Sequence, residues 1–193
     1  MRVGLALGVL AAVGALTSIS SHVAAADTAS VQALMDMVID PSADALWAVA
    51  GTVVTAKGGV DHQPRTARQW AQARQLAERI VVGAQRLQTP RAVGANGHWK
   101  LADASTPGIR TALQIQEDIA RDPKRFYTAA ARLQQTAQDA VNMIDKRDIP
   151  GLLDAGARID AACEGCHAAY WYPRDPPRKL PGPDIFAKTA LRP

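Results

Sequence analysis

The chain contains two cysteines, Cys163 and Cys166, and a histidine directly follows the second: Cys163-Glu164-Gly165-Cys166-His167. Two thiols three positions apart share one face of a helix. This is the C-x-x-C-H pattern of covalent haem attachment. Each thiol adds to one vinyl group of a single macrocycle, so the two sulfurs must stand a porphyrin edge apart. His167 then supplies the proximal iron ligand, and Gly165 leaves the backbone bare where the ring edge approaches. The residues point to one covalent haem c.

Three other chemistries use such a pair. A structural disulfide closing so short a loop would restrain little of the unfolded chain. A zinc site usually needs four ligands. The chain has no second cysteine pair, and His62 and His98 sit in separate loops without His-x-x-x-His spacing. A thioredoxin-type dithiol expects a helix start beside a parallel sheet, whereas this pair falls near a helix end with strand signals scarce.

A sixth iron ligand comes from a residue facing the same ring. Met35 lies on the apolar stripe of the first helical segment with Val31 and Val38, and thioether ligation gives a low-spin centre of raised potential. The competing role for a methionine there is core filling. Met37 is about 200° further around the helix and cannot face the same haem. Met143 is a weaker rival.

These residues must be positioned by helices. Trp70, Ala73, Ala77, Ile80, Ala84 and Leu87 recur at helical spacing. Phe126, Ala130, Leu133, Ala137, Ala140 and Ile144 do the same, and so do Leu152, Gly156, Ile159, Cys163, Cys166 and Tyr170. A less regular stripe runs through Val31, Met35, Val38, Ala45 and Val49, and Pro41 inside it predicts a kink. Many stripe positions are Ala or Gly, which permits close helix approach. The expectation is an all-α, antiparallel four-helix bundle.

Start signals agree with this. Thr66 and Gln69 form a capping box, and Asp122-Pro123 and Asp148 with Pro150 mark two further starts. Tyr172-Pro173 ends the last helix. Residues 51–65 and 89–108 read as loops, with a short helix over 109–121 and a tight turn at Lys146–Ile149.

Residues 1–26 read as a secretory signal peptide: Arg2, an apolar stretch and the run Ala24-Ala25-Ala26. Residues 27–172 form the cytochrome domain, and 173–193 a Pro-rich extended tail. The expected location is the periplasm, with no stable membrane insertion after cleavage. The net charge of +4 comes without a basic block interleaved with aromatics, so nucleic acid is an unsupported partner. A mildly basic surface can favour an acidic redox partner. A homodimer is allowed but not specified.

A C-x-x-C-H on the last helix, near the C-terminus, resembles the class II c-type cytochromes, meaning cytochrome c-prime and its low-spin relatives. The resemblance spans residues 28–172 by helix count and motif position. A narrower likeness, to exported cytochrome-like proteins, rests on Cys163-Glu-Gly-Cys-His-Ala-Ala-Tyr-Trp-Tyr-Pro173 and on Val38-Ile-Asp-Pro-Ser-Ala-Asp-Ala-Leu-Trp47. It implies Met35 as the distal ligand, since low-spin members carry a methionine in the first helix. High-spin members leave that site open to small gases. The chain departs from the pattern in lacking an Arg just before Met35 and in carrying Pro41. Trp47, Tyr170, Trp171 and Tyr172 are candidates to pack around the ring or to serve as ordinary core. Arg174 can pair with a propionate, or remain a solvated tail charge.

The functional expectation is periplasmic electron transfer by a monohaem cytochrome with an unidentified redox protein, not enzymatic catalysis. The alternative is binding or sensing of nitric oxide or carbon monoxide at an open or weakly ligated distal site. Peroxidase-like catalysis needs a positioned acid–base group. Asp36 and Asp40 are the nominees, and they read more simply as solvated or capping residues.

Overall fold

A computed structural model describes residues 29–94, 101 and 104–172, without the side chains of residues 53–55 and 61. The segments 1–28 and 173–193, with His98 and Arg174, lie outside the described residues. The fold is mainly helical.

The first helix, α1, comprises three consecutive segments: Val31–Leu34, a π-helical turn Met35–Ile39, and Asp40–Val49. Ser30 caps it by accepting the Ala33 N–H. Its first-turn amides are used as well, with Val31 N–H bonding Ala92 O and Gln32 N–H bonding Val93 O. After α1 come an antiparallel hairpin of β1 (Gly51–Thr55) and β2 (Gly58–His62) and then α2 (Ala67–Leu87). The remaining helices are α3 (Ala112–Arg121), α4 (Pro123–Asp145) and α5 (Ile149–Tyr170).

The expected starts are present. Thr66 and Gln69 make both bonds of the capping box on α2, Asp122 caps α4 and Asp148 caps α5. The short helix expected over 109–121 begins at Ala112, behind a second capping box of Thr111 and Gln114. In the turn between α4 and α5, Arg147 takes a positive φ of 54°.

Two expectations need correction. Residues 51–65 are not simply a loop, because the run Thr52-Val53-Val54-Thr55 is β-branched and pairs with residues 58–62 across a two-residue turn. Gly58 (φ 114°) supplies the conformation that turn requires. Pro41 does not break α1. It occupies the first turn of Asp40–Val49, and the irregularity lies upstream, where the Asp40 N–H bonds Met35 O in the wide π pattern. In a regular helix the ring of Pro41 would meet the Met37 carbonyl, and Met37 lies within the π turn. Buried Ser42 donates its hydroxyl to the Val38 carbonyl.

Small side chains govern the packing. Ala73, Ala77 and Ala84 of α2 and Ala137 and Ala140 of α4 are completely buried, and α2 and α4 share the most extensive helix contact. α4 then packs on α5, and α1 on α2. A Cβ on Gly83 of α2 would come within 2.7 Å of Ile39 in α1, so this glycine allows the two axes to approach.

α1 and α5 do not pack backbone to backbone to any comparable extent. At the far end of α1, Trp47 lies over Gly156 of α5, with its Nε1 3.5 Å from where a Cβ would stand. The indole bridges the gap there, and beyond it the space between the helices opens towards Cys163 and His167.

Gly83→Leu is expected to destabilise the fold by about 1–3 kcal/mol through overpacking against Ile39. The midpoint of denaturant unfolding checks this.

Candidate functional site

Cys163, Cys166 and His167 occupy the last two turns of α5. Both thiols are free and half-buried, and the His167 side chain is 28 % exposed. The helix closes on this histidine, whose carbonyl accepts the Trp171 N–H at 2.7 Å and the Tyr172 N–H at 3.0 Å. The Trp171 and Tyr172 rings stand 6.3 and 6.0 Å from the imidazole. The Trp171 carbonyl also takes the Arg110 N–H at 3.0 Å, and the Arg110 guanidinium pairs with Asp118 of α3. Thus α3 and the turn before it anchor the end of α5.

Across the gap stands α1. A cleft of about 250 Å³ lies between Val31, Met35, Asp36 and Asp40 on one side and Cys166 and His167 on the other. A second, much smaller apolar cavity of about 10 Å³ is lined by Met35, Leu87, Leu133 and Cys163, and it shares Met35, Phe126, Cys166 and His167 with the cleft. Both thiols, the histidine and Met35 therefore border this second cavity, and all but Cys163 border the cleft as well. The cleft is smaller than the about 300–1,000 Å³ typical of a cofactor site.

The walls suit a large apolar ring with a polar margin. Phe126 lines the cleft and meets buried Tyr170 edge-on at 5.4 Å. Gln32 also lines it, and its Oε1 is buried with no hydrogen-bond partner among the described residues. A bound water or a ligand group would satisfy such an atom. A Cβ at Gly165 would meet nothing within 4 Å, so this position leaves open space outside the helix.

The structure separates the candidate ligands. Met37 is 72 % exposed and points away from the cleft. The Met143 sulfur lies against Gly151, 2.6 Å from where a Cβ would stand, and Gly151 is about 18 Å along α5 from Cys163. His62 places Nδ1 3.0 Å from the Ala48 carbonyl, outside the cleft. Met35 is the methionine that shares the cleft with His167. Among the aromatic candidates, Trp171 and Tyr172 line the cleft, Tyr170 enters the core, and Trp47 belongs to a separate groove with Gly51 and Leu153.

Asp36 and Asp40 are exposed, as the sequence suggests, yet both also line the cleft. In a regular α-helix Met35 and Asp40 would be about 140° apart. The π turn between them narrows that angle and brings both to one face. Sequence reasoning missed this placement, and missed Gln32 and Phe126 as wall residues. The π turn's only trace in the sequence is Pro41.

Partial burial raises the Asp40 pKa, the neighbouring His167 lowers it, and Asp36 and Asp44 raise it again, with a net upward result. Burial pushes the Cys163 thiol up to about 12, aided by the charges of Asp40, Asp160 and Glu164. Burial also pushes the Cys166 thiol up to about 11. A redox dithiol or a thiolate metal site needs the opposite shift. Among the described residues no group of three or more His, Cys, Asp or Glu side chains is arranged to hold a metal ion, and no helix is long and apolar enough to cross a membrane.

No family model matches the chain, and neither curated proteins nor solved structures give a match.

Raised thiol pKa values mean fewer thiolates at any neutral pH, and the thiolate is the reacting species. Folded, haem-free protein should therefore react with iodoacetamide at pH 7.5 on the order of a hundredfold more slowly than the urea-unfolded chain. The folded-state rate should climb only in strongly alkaline buffer. Equal rates in the two states would contradict the burial.

Proposed function

We propose that the chain is a monohaem c-type cytochrome of the class II kind that transfers electrons after export to the periplasm. In this reading α1, α2, α4 and α5 are the four helices of an antiparallel bundle, and the haem occupies the space between α1 and α5. One observation carries the proposal: Met35, Cys163, Cys166 and His167 all border the same small apolar cavity, between the adjacent pair of these helices that has the least contact. Cys163 and Cys166 would hold the ring by thioether bonds, His167 would be the proximal ligand and Met35 the distal one. The bound group would supply a one-electron couple at iron.

The protein's own part is to hold, exclude and bias. Phe126, Leu87 and Leu133 keep the inner side of the space dry, and a dry surround with a thioether ligand favours the reduced state. Trp171 and Tyr172 border the outer side. Tyr172 is 37 % exposed, so the route for an electron to a docked partner is short on that face.

Local charge opposes the net charge. Asp36, Asp40, Asp44, Asp160 and Glu164 all lie within electrostatic reach of the cleft residues, although the chain carries +4 overall. Charge near the exchanging edge governs encounter rates more than the total does.

Two measurements test the proposal. A haem-loaded wild type should titrate reversibly between two oxidation states and show a low-spin methionine-ligated spectrum, which Met35→Ala converts to high-spin. An unchanged low-spin spectrum in Met35→Ala would remove Met35 as ligand. Immediate binding of carbon monoxide by the wild-type ferrous form would turn the reading towards a gas-binding cytochrome. Second, at low ionic strength a cationic small-molecule oxidant should react faster than an anionic one of equal driving force. The difference should shrink as salt is added. A preference for the anionic oxidant would contradict the local-charge argument.

A further inference from the structure

We infer that Glu164, the first variable residue of the C-x-x-C-H segment, is a positioning residue for His167 that sets the electron density at the iron. The inference rests on the haem reading above and concerns a residue that the motif itself leaves free.

A haem-ligating imidazole binds iron through one ring nitrogen and carries a proton on the other. That N–H is almost always given to a carboxylate, a carbonyl or water, and the acceptor fixes the ring and raises its basicity. The helix leaves His167 few choices. Among the described residues no hydrogen bond is made by either of its ring nitrogens, and the Trp171 and Tyr172 rings beside it bring only edges and faces. The Glu164 carboxylate stands nearby, with Oε1 3.9 Å from Nδ1, an ion-pair distance longer than a hydrogen bond. Residues three apart on a helix are neighbours, so a small rotation of the glutamate side chain, which is 60 % exposed and free to turn, closes that distance to a hydrogen bond. Nδ1 is then committed to Glu164, and Nε2 is the nitrogen presented to the iron.

A second carboxylate, Asp40, also acts on His167. It belongs to α1, however, so its distance depends on the width of the cleft. Glu164 sits on the same helix as the ligand and keeps its register whatever the cleft holds.

An anionic acceptor on Nδ1 makes the imidazole a stronger donor. The oxidised iron is stabilised more than the reduced one, and the potential falls. Second-sphere hydrogen bonding is one of the protein's principal controls over a haem. Glu164 would thus offset part of the rise that a methionine ligand and a dry pocket produce.

The test compares haem-loaded wild type, Glu164→Gln and Asp160→Asn. Asp160 is exposed and one turn back on α5, and its charge also reaches Cys163. Its removal therefore reports charge alone. Glu164→Gln should shift the redox equilibrium about tenfold towards the ferrous form, or about 59 mV upward for one electron. Asp160→Asn should shift it by less than about twofold. The proton resonance of the ring N–H should exchange with solvent faster in Glu164→Gln than in either other protein. Equal shifts in the two variants, or an unmoved potential with covalent haem still present, would overturn the inference and leave the cytochrome reading standing. A wild-type polypeptide that carries no covalent haem would overturn both.

Discussion

Among the described residues two helix interfaces close on small side chains, and a large side chain stands in another. Alanines along α2 and α4 let those helices meet closely, and Gly83 lets α1 settle against α2. Between α1 and α5 the contact is made by the Trp47 indole over Gly156. The indole stands between the two helices at one end, and Phe126, Trp171 and Tyr172 line the cleft at the other. The remaining space is bordered by Met35 from one helix and by Cys163, Cys166 and His167 from the other. Interiors pack to nearly crystalline density and tolerate few voids. A cleft at the one location where two thiols, an imidazole and a thioether converge is therefore more informative than any of those residues alone.

The electrostatics of the cleft follow from the same placement. The thiols face a mostly apolar space and several carboxylates, and both influences disfavour thiolate. Inert thiols suit a site whose sulfurs end up bonded to carbon. They suit neither disulfide exchange nor metal coordination, which both need the anion. Of the carboxylates, Asp40 is itself partly desolvated at the cleft, which raises its pKa.

Much of this was legible in the sequence, for identifiable reasons. The helices α2, α4 and α5 declared themselves because each apolar stripe repeats at steps of three and four, and because Thr66, Asp122 and Asp148 are capping residues with the right neighbours. That Cys163 and Cys166 share one stretch of α5 with His167 was legible because residues three apart are neighbours on a helix. The hairpin was not, since its strands are only five residues long and their β-branched run sits among glycines that read as loop. The π turn was hidden too. Pro41 announces an irregularity, but not its form or its place, which is the π turn upstream over Met35–Ile39. With it went the placement of Asp40 beside Met35. Trp47 reads equally as a residue for the ring or for the core, and it lies against Gly156 between α1 and α5, in a separate groove.

The account stands most directly on whether this polypeptide keeps a porphyrin through covalent bonds. The decisive measurement is the intact mass and absorption spectrum of the purified chain after full denaturation, following expression with a functioning haem-attachment system. The account predicts one haem per chain surviving denaturation in the wild type and none in the Cys163→Ala, Cys166→Ala double variant. A denatured wild-type chain with no retained haem, from cells in which a second cytochrome matures normally, would contradict it.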